Sequence, residues 1–175
     1  CLLLCQFFLL VVEAFQNRMT ALAQTHARLT EERWRGTRLG ELTRAVLSSF
    51  ARDDGRFSID GPEVWIVPNA AITLSMGLHE LATNALKYGA LSSEHGTVRL
   101  QWEISGQTDE ETFRLTWMEE DGPPVTPPER KGFGRRLIER GIPHELGGKV
   151  ELNYGATGVR CVMTFPADRI LSRGD

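Results

Sequence analysis

Residues 68–89 read as one long helix with two unlike faces, and no other feature constrains the fold as much. Pro68-Asn69 opens it, since proline at the start of a helix loses no hydrogen bond. Gly89 closes it, where a helix cap favours glycine. Leu74, Leu78, Leu81 and Ala85 share a face at helical spacing, an apolar stripe that must pack on a sheet. Glu80, Asn84 and Lys87 fall on a second stripe at i, i+4 and i+7. A carboxylate, a carboxamide and an ammonium in one line suit a magnesium–triphosphate complex, because magnesium takes hard oxygen ligands and keeps waters and phosphates in its shell. Asn84 then offers a neutral oxygen to the metal, Glu80 orders a metal-bound water, and Lys87 meets a phosphate. The competing explanation is a solvated polar face, so the surrounding elements must decide. His79-Glu80 also opens a zinc-hydrolase His-Glu-x-x-His pattern, but position 83 is threonine and that reading fails.

Those elements are strands and turns. Residues 56–60 and 64–67 read as short strands around Gly61-Pro62, and 97–104 and 112–119 alternate as two more. A Gly/Pro-rich loop spans 120–132, a helix runs from about 134 to 146, and strands follow near 149–154 and 159–165. Ahead of them, Leu42, Val46 and Leu47 mark the inner face of a helix over 39–50. The expected class is α/β, an α+β two-layer sandwich whose mixed sheet carries helices on one face. Residues 37–175 form this domain and residues 1–36 a separate helical piece. In that piece Phe8, Val12, Phe15, Met19, Leu22, His26 and Leu29 follow a heptad seam, which needs a partner helix.

Composition narrows the function classes. With 20 basic and 23 acidic residues the net charge is −3, against nucleic-acid binding, which wants a basic face. Three cysteines (Cys1, Cys5, Cys161) lack zinc-site or disulfide spacing and read as free thiols in a reducing cytoplasm. The apolar opening, residues 1–12, falls short of the roughly 20 residues that cross a bilayer. It reads as buried helix surface rather than a membrane contact, and the chain, which does not begin with methionine, as a fragment or processed piece.

The run from Leu78 to Ser92, with His79-Glu80-Leu81 and Asn84-Ala85-Leu86-Lys87-Tyr88-Gly89, closely resembles the N box of the GHKL ATPases, and the His-Glu pair resembles the HWE histidine kinases within them. Trp117-Met118-Glu119 matches that family's Trp-x-Glu. Gly122-Pro123-Pro124-Val125 and Gly132-Phe133-Gly134-Arg135-Arg136-Leu137 resemble its nucleotide loop and G box. The resemblance spans roughly residues 39–166, and implies a Bergerat-type ATP-binding fold with ATP and magnesium as ligands. It implies nucleotide contacts from His79, Asn84, Lys87, Tyr88, Glu119, Asp121, Gly122, Gly132, Phe133, Gly134, Arg135 and Leu137, with Asn84 and Glu80 serving the metal. The adenine amino group takes a carboxylate from Glu119 or Asp121. The family usually has glycine near 121, so Asp121 is a departure that leaves the choice open, with Glu119 the preferred of the two. His79, about 100° off the polar stripe, suits a supporting hydrogen bond better than a phosphate contact, and Trp117 suits the core.

Such kinases phosphorylate a histidine within a His-Arg-x-Lys-Asn run, and none occurs here. His26 reads as a polar seam residue, and His95 and His144 do not look like acceptors. The resemblance implies γ-phosphoryl transfer from ATP to a histidine and then to a response-regulator aspartate, with a homodimer formed through the N-terminal helix. The alternatives are a non-catalytic nucleotide-binding regulator of the same fold and an anti-sigma-type serine kinase.

Overall fold

Alternation along three long strands decides which side of the sheet is dry. In this computed structural model, which describes residues 36–50, 55–107, 110–125, 132–155 and 158–172, the elements follow in order. They are β1 (Thr37–Arg38), α1 (Leu39–Leu47), β2 (Phe57–Asp60), β3 (Trp65–Ile66), α2 (Pro68–Tyr88), a 3-10 turn (Ala90–Ser92), β4 (Thr97–Ser105) and β5 (Thr112–Glu120). A helical run then comprises α3 (Phe133–Arg136), a π turn (Leu137–Gly141) and α4 (Ile142–Leu146), followed by β6 (Lys149–Gly155), β7 (Gly158–Pro166) and α5 (Ala167–Ile170).

The main sheet has the order β2-β4-β5-β7-β6. Its β2–β4 pair is parallel and the other pairs are antiparallel, so the sheet is mixed, as expected. The parallel pair is possible because α2 lies between the two strands in sequence and carries the chain back over the sheet. Val98, Leu100 and Trp102 of β4 are buried while Arg99, Gln101 and Glu103 between them are exposed. Phe113, Leu115 and Trp117 of β5, and Cys161, Met163 and Phe165 of β7, continue the dry face. The apolar stripe of α2 (Leu74, Leu78, Leu81, Ala85) is fully or almost fully buried in the same core. A methyl group added at Gly77 would overlap Ile142 and touch Met163, so α2 lies close against both α4 and β7.

The observed elements fall close to those expected; beyond the unforeseen 3-10 turn and α5, three differences stand out. The helix expected over 39–50 ends at Leu47, with Leu42 and Leu47 buried. The helix expected from 134 to 146 is interrupted by a π turn just ahead of Pro143, a residue with no N–H to donate and a ring that crowds the carbonyl one turn back. A small antiparallel pair, β1–β3, joins the start of the domain to residues 65–66, and Leu171 bridges onto Ile66. Burial drives the Cys161 thiol pKa up to about 12, so it stays protonated in the core. The heptad seam, His26, Cys1, Cys5 and the acceptor question all fall outside the described residues. No helix among the described residues is long and apolar enough to cross a membrane.

Candidate nucleotide site

Helix α2 and α3 meet at Gly134, and that contact joins the two candidate motifs. Gly134 is buried, and a Cβ built on it would land on the Glu80 side chain, at Oε1, Cδ and Cγ. Only glycine lets the backbone of α3 approach the Glu80 carboxylate this closely. Asn84 lies half-buried one turn further along α2, and Lys87 is exposed another turn on, so the polar stripe forms as read from sequence. Tyr88 is 69% exposed and Phe133 65%, so both aromatic rings stand at the surface beside these motifs. Leu137 is partly buried against the core, and Gly132 is exposed, with open space where a side chain would be.

Two of the expected residues make contacts outside these motifs. The His79 ring packs edge-on against Phe50, centroids 5.2 Å apart, tying α2 to the segment after α1. The Arg135 Nε donates to Glu139 Oε1 at 2.6 Å, and its guanidinium lies 5.4 Å from the Tyr154 ring centroid. That places Arg135 between its own helical run and β6 rather than over the Glu80–Gly134 contact.

The Trp-x-Glu motif acquires a physical reason here. Residues i and i+2 of a strand point to the same face. The Trp117 indole Nε1 therefore reaches Glu119 and donates to its Oε1 at 3.2 Å. The other oxygen, Oε2, accepts from the Ala90 N–H at 2.9 Å, just past the end of α2. Glu119 is only 4% exposed. Burial raises its pKa above the usual carboxylate range, opposed by hydrogen bonds from the Ala90 backbone, the Trp117 indole and the Val159 backbone. A Cβ at Gly89 would collide with Glu119 Oε2, and one at Gly158 would come within 2.7 Å of the Glu119 backbone oxygen.

Gly89 was expected as a helix cap, where a left-handed conformation favours glycine. Its φ of −110° is an extended conformation open to any residue, so the requirement for glycine comes from the carboxylate beside it. Asp121 follows on the exposed side with φ +57°, the one non-glycine residue in the left-handed region among those described. Gly122 packs on Ala90, with no room for a side chain. The site thus holds residues that sequence patterns alone did not flag: Ala90, whose amide is the donor, and Gly158, which packs on the Glu119 backbone.

Comparison with known proteins gives this geometry its context. Residues 10–63 match the model of the HWE histidine kinase family. The chain is 40% identical over 148 residues to a blue-light-activated histidine kinase of Brucella anthropi, a match covering 84% of this chain and 30% of the relative. The chain belongs to the HWE histidine kinase family. A blue-light-activated histidine kinase of Brucella ovis is 36% identical over 146 residues, covering 83% of this chain and again 30% of the relative, so the chain spans under a third of the length of these relatives. In three dimensions it is similar to the histidine kinase domain of a blue-light-activated histidine kinase from Erythrobacter litoralis. That match has a TM-score of 0.68 at 21% identity and covers 88% of this chain and 75% of the other. It also resembles the catalytic domain of histidine kinase ThkA, with a TM-score of 0.55 at 20% identity over 74% of this chain and 94% of the other. These likenesses establish the fold. The HWE motifs therefore lie on a histidine-kinase catalytic fold, with Trp117 in the core and Glu119 beneath the turn that ends the N-box helix.

Proposed function

We propose that this chain binds Mg–ATP between α2 and the glycine loop and passes the γ-phosphoryl group to a histidine nitrogen. The observation that carries the reading is the packing of Gly134 on Glu80, which joins the polar stripe of α2 to the glycine-bearing start of α3 suited to phosphates. The donor set fits the metal: a carboxamide oxygen and a carboxylate on successive turns are hard ligands, and the nucleotide's phosphates and water complete the shell. Magnesium would offset the charge that develops on the transferring phosphoryl group. Asn84 and Glu80 would hold and orient it, Lys87 would meet a phosphate, and the backbone of Gly132 and Gly134 would approach the phosphates closely. The exposed rings of Tyr88 and Phe133 would flank the nucleotide.

Both carboxylates near the end of β5 remain in this proposal, with separate tasks. Glu119 forms the floor, with its oxygens already accepting from Trp117 and Ala90. A carboxylate offers about four acceptor sites, so one more donor, such as an adenine amino group, can still be accommodated. Asp121 stands exposed at the rim. The receiving histidine would sit in a His-Arg-x-Lys-Asn run, in a homodimer built through the N-terminal helix, and a response-regulator aspartate would take the group next.

The test is transfer. The chain, incubated with magnesium, γ-labelled ATP and a supplied helical hairpin bearing His-Arg-x-Lys-Asn, is expected to yield acid-labile, base-stable label on the hairpin. Tight nucleotide binding with no transfer would contradict the kinase reading and favour a nucleotide-binding regulator. Acid-stable label on a serine would favour a serine kinase.

A further inference from the structure

One side chain holds the turn beneath the candidate nucleoside end of the site, and it comes from a distant part of the sequence. Arg56 directly precedes β2, where its backbone carbonyl accepts from Val98 N at 2.9 Å. Its guanidinium faces the turn that follows α2. Nε donates to Gly96 O at 2.8 Å, and Nη2 donates to Ser93 O at 2.6 Å and Ala90 O at 3.2 Å. Nη1 reaches Leu91 O at 3.4 Å. Four carbonyls of a single turn thus converge on one cation. Carbonyl dipoles aligned this way repel one another, and the planar, multi-donor guanidinium is the side chain that matches such a cluster.

The opposite side of the same turn is held by an acid. The Ala90 N–H donates to Glu119 while the Ala90 carbonyl accepts from Arg56, so the backbone of this residue is held by the carboxylate through one peptide and by the cation through the next. The turn bears directly on the candidate nucleotide loop. Ser93 Oγ lies 2.9 Å from Ala90 O and 3.2 Å from Asp121 O, two acceptors that share its one hydrogen, and a Cβ at Gly122 would lie 2.6 Å from Ala90 Cα. The placement of Asp121 and Gly122 is therefore set by the turn, and that of the turn by Arg56.

We propose that Arg56 is a positioning residue for nucleotide binding, fixing the 90–96 turn against Asp121–Gly122 and so shaping the wall that receives the nucleoside. The proposal rests on the Mg–ATP reading above. Among the described residues, the side-chain hydrogen bonds of Arg56 all go to carbonyls of the 90–96 turn and none to Glu80, Asn84 or Lys87, so Arg56 acts on the wall of the site and not on the metal or phosphates. Its loss should weaken ATP and ADP alike and leave magnesium dependence intact.

The experiment is calorimetric titration of the full chain with ATP and ADP, with and without magnesium, for the wild type, Arg56→Gln and Arg56→Lys. In Arg56→Gln, Kd is expected to rise about tenfold for both nucleotides, with one site per folded chain and an unchanged magnesium effect. Arg56→Lys should fall between, since an ammonium recovers one or two of the bonds. Unchanged Kd, with or without a reduced number of sites, would overturn the proposal, because a residue that only holds the fold together lowers the folded fraction and leaves its affinity alone. A loss confined to Mg–ATP would overturn it as well. If Arg56→Gln does not fold, Arg56→Lys and Ser93→Ala carry the test, each with Kd expected to rise several-fold. No binding by the wild type would overturn the nucleotide reading and this inference with it. Wild-type binding with indifferent variants would overturn this inference alone.

Discussion

Replacing Gly134 with alanine tests the joint between the two motifs, and the structure separates its effects on stability and on function. The three atoms nearest a Cβ at this position are all of the Glu80 side chain, Oε1, Cδ and Cγ. The backbone is not in the left-handed region, so alanine is conformationally permitted. In the first turn of the helical run it should gain up to about 1 kcal/mol over glycine. Glu80 must swing away, and an off-rotamer side chain costs about 0.5–1.5 kcal/mol. These nearly cancel, so Tm should move by no more than about 4 °C. Function should not cancel, since moving a positioned carboxylate by about 1 Å can cost about a hundredfold. Thermal melts and phosphotransfer to a supplied histidine hairpin read the two quantities. The same change in a Glu80→Ala background should have no further effect on transfer, because the group it displaces is gone. Unchanged transfer in Gly134→Ala would refute the reasoning, as would a further loss in the double variant equal to that in the single one.

Three other substitutions probe the floor of the site. Gly89→Ala places a methyl group on Glu119 Oε2 and within 3.0 Å of Ala85 Cα, so chemical denaturation should show a loss of about 1–3 kcal/mol; wild-type stability would mean the carboxylate is free to move. Asp121→Gly relieves a φ of +57° and should add about 0.5–1 kcal/mol in the same assay, whereas a loss would show that the aspartate side chain holds the turn. Glu119 has a raised pKa in the folded state, chiefly through burial, so the native protein takes up a proton before the unfolded chain does as pH falls. The stability of the wild type relative to Glu119→Gln should therefore increase as pH falls from neutral into the window between the raised and ordinary carboxylate values. Denaturation curves at a series of pH values check this, and a gap that narrows on acidification would contradict it.

What was legible in the sequence followed local periodicity. The stripe of Leu74, Leu78, Leu81 and Ala85 pointed to the core, and the alternation in residues 97–104 and 112–119 gave the two central strands. Trp117 was readable as core, because a large aromatic on the inner face of a strand has nowhere else to go. Long-range polar contacts were not readable. Arg56 reaches carbonyls 34–40 residues away, and nothing in its local context distinguishes it from a surface arginine. Gly89 was identified as important for the wrong physical reason, since an absent side chain and a left-handed turn leave the same letter in the sequence. The Arg135–Glu139 pair is an i,i+4 contact within one helical run, whereas the approach of Arg135 to Tyr154 depends on where β6 lies, a matter of topology that spacing does not encode. The two-residue strand β1 is too short to show alternation at all, whereas β3 falls within the strand expected over 64–67.

The central claim is that α2 presents a magnesium–nucleotide site through Asn84. Its most direct test is calorimetric titration of the chain with a non-hydrolysable ATP analogue, with and without magnesium, beside Asn84→Ala. The expected result is one nucleotide per chain, tightened by magnesium in the wild type, with the magnesium effect abolished in a normally folded Asn84→Ala. Equal affinity with and without the metal, or an Asn84→Ala variant that binds Mg–ATP as the wild type does, would contradict it.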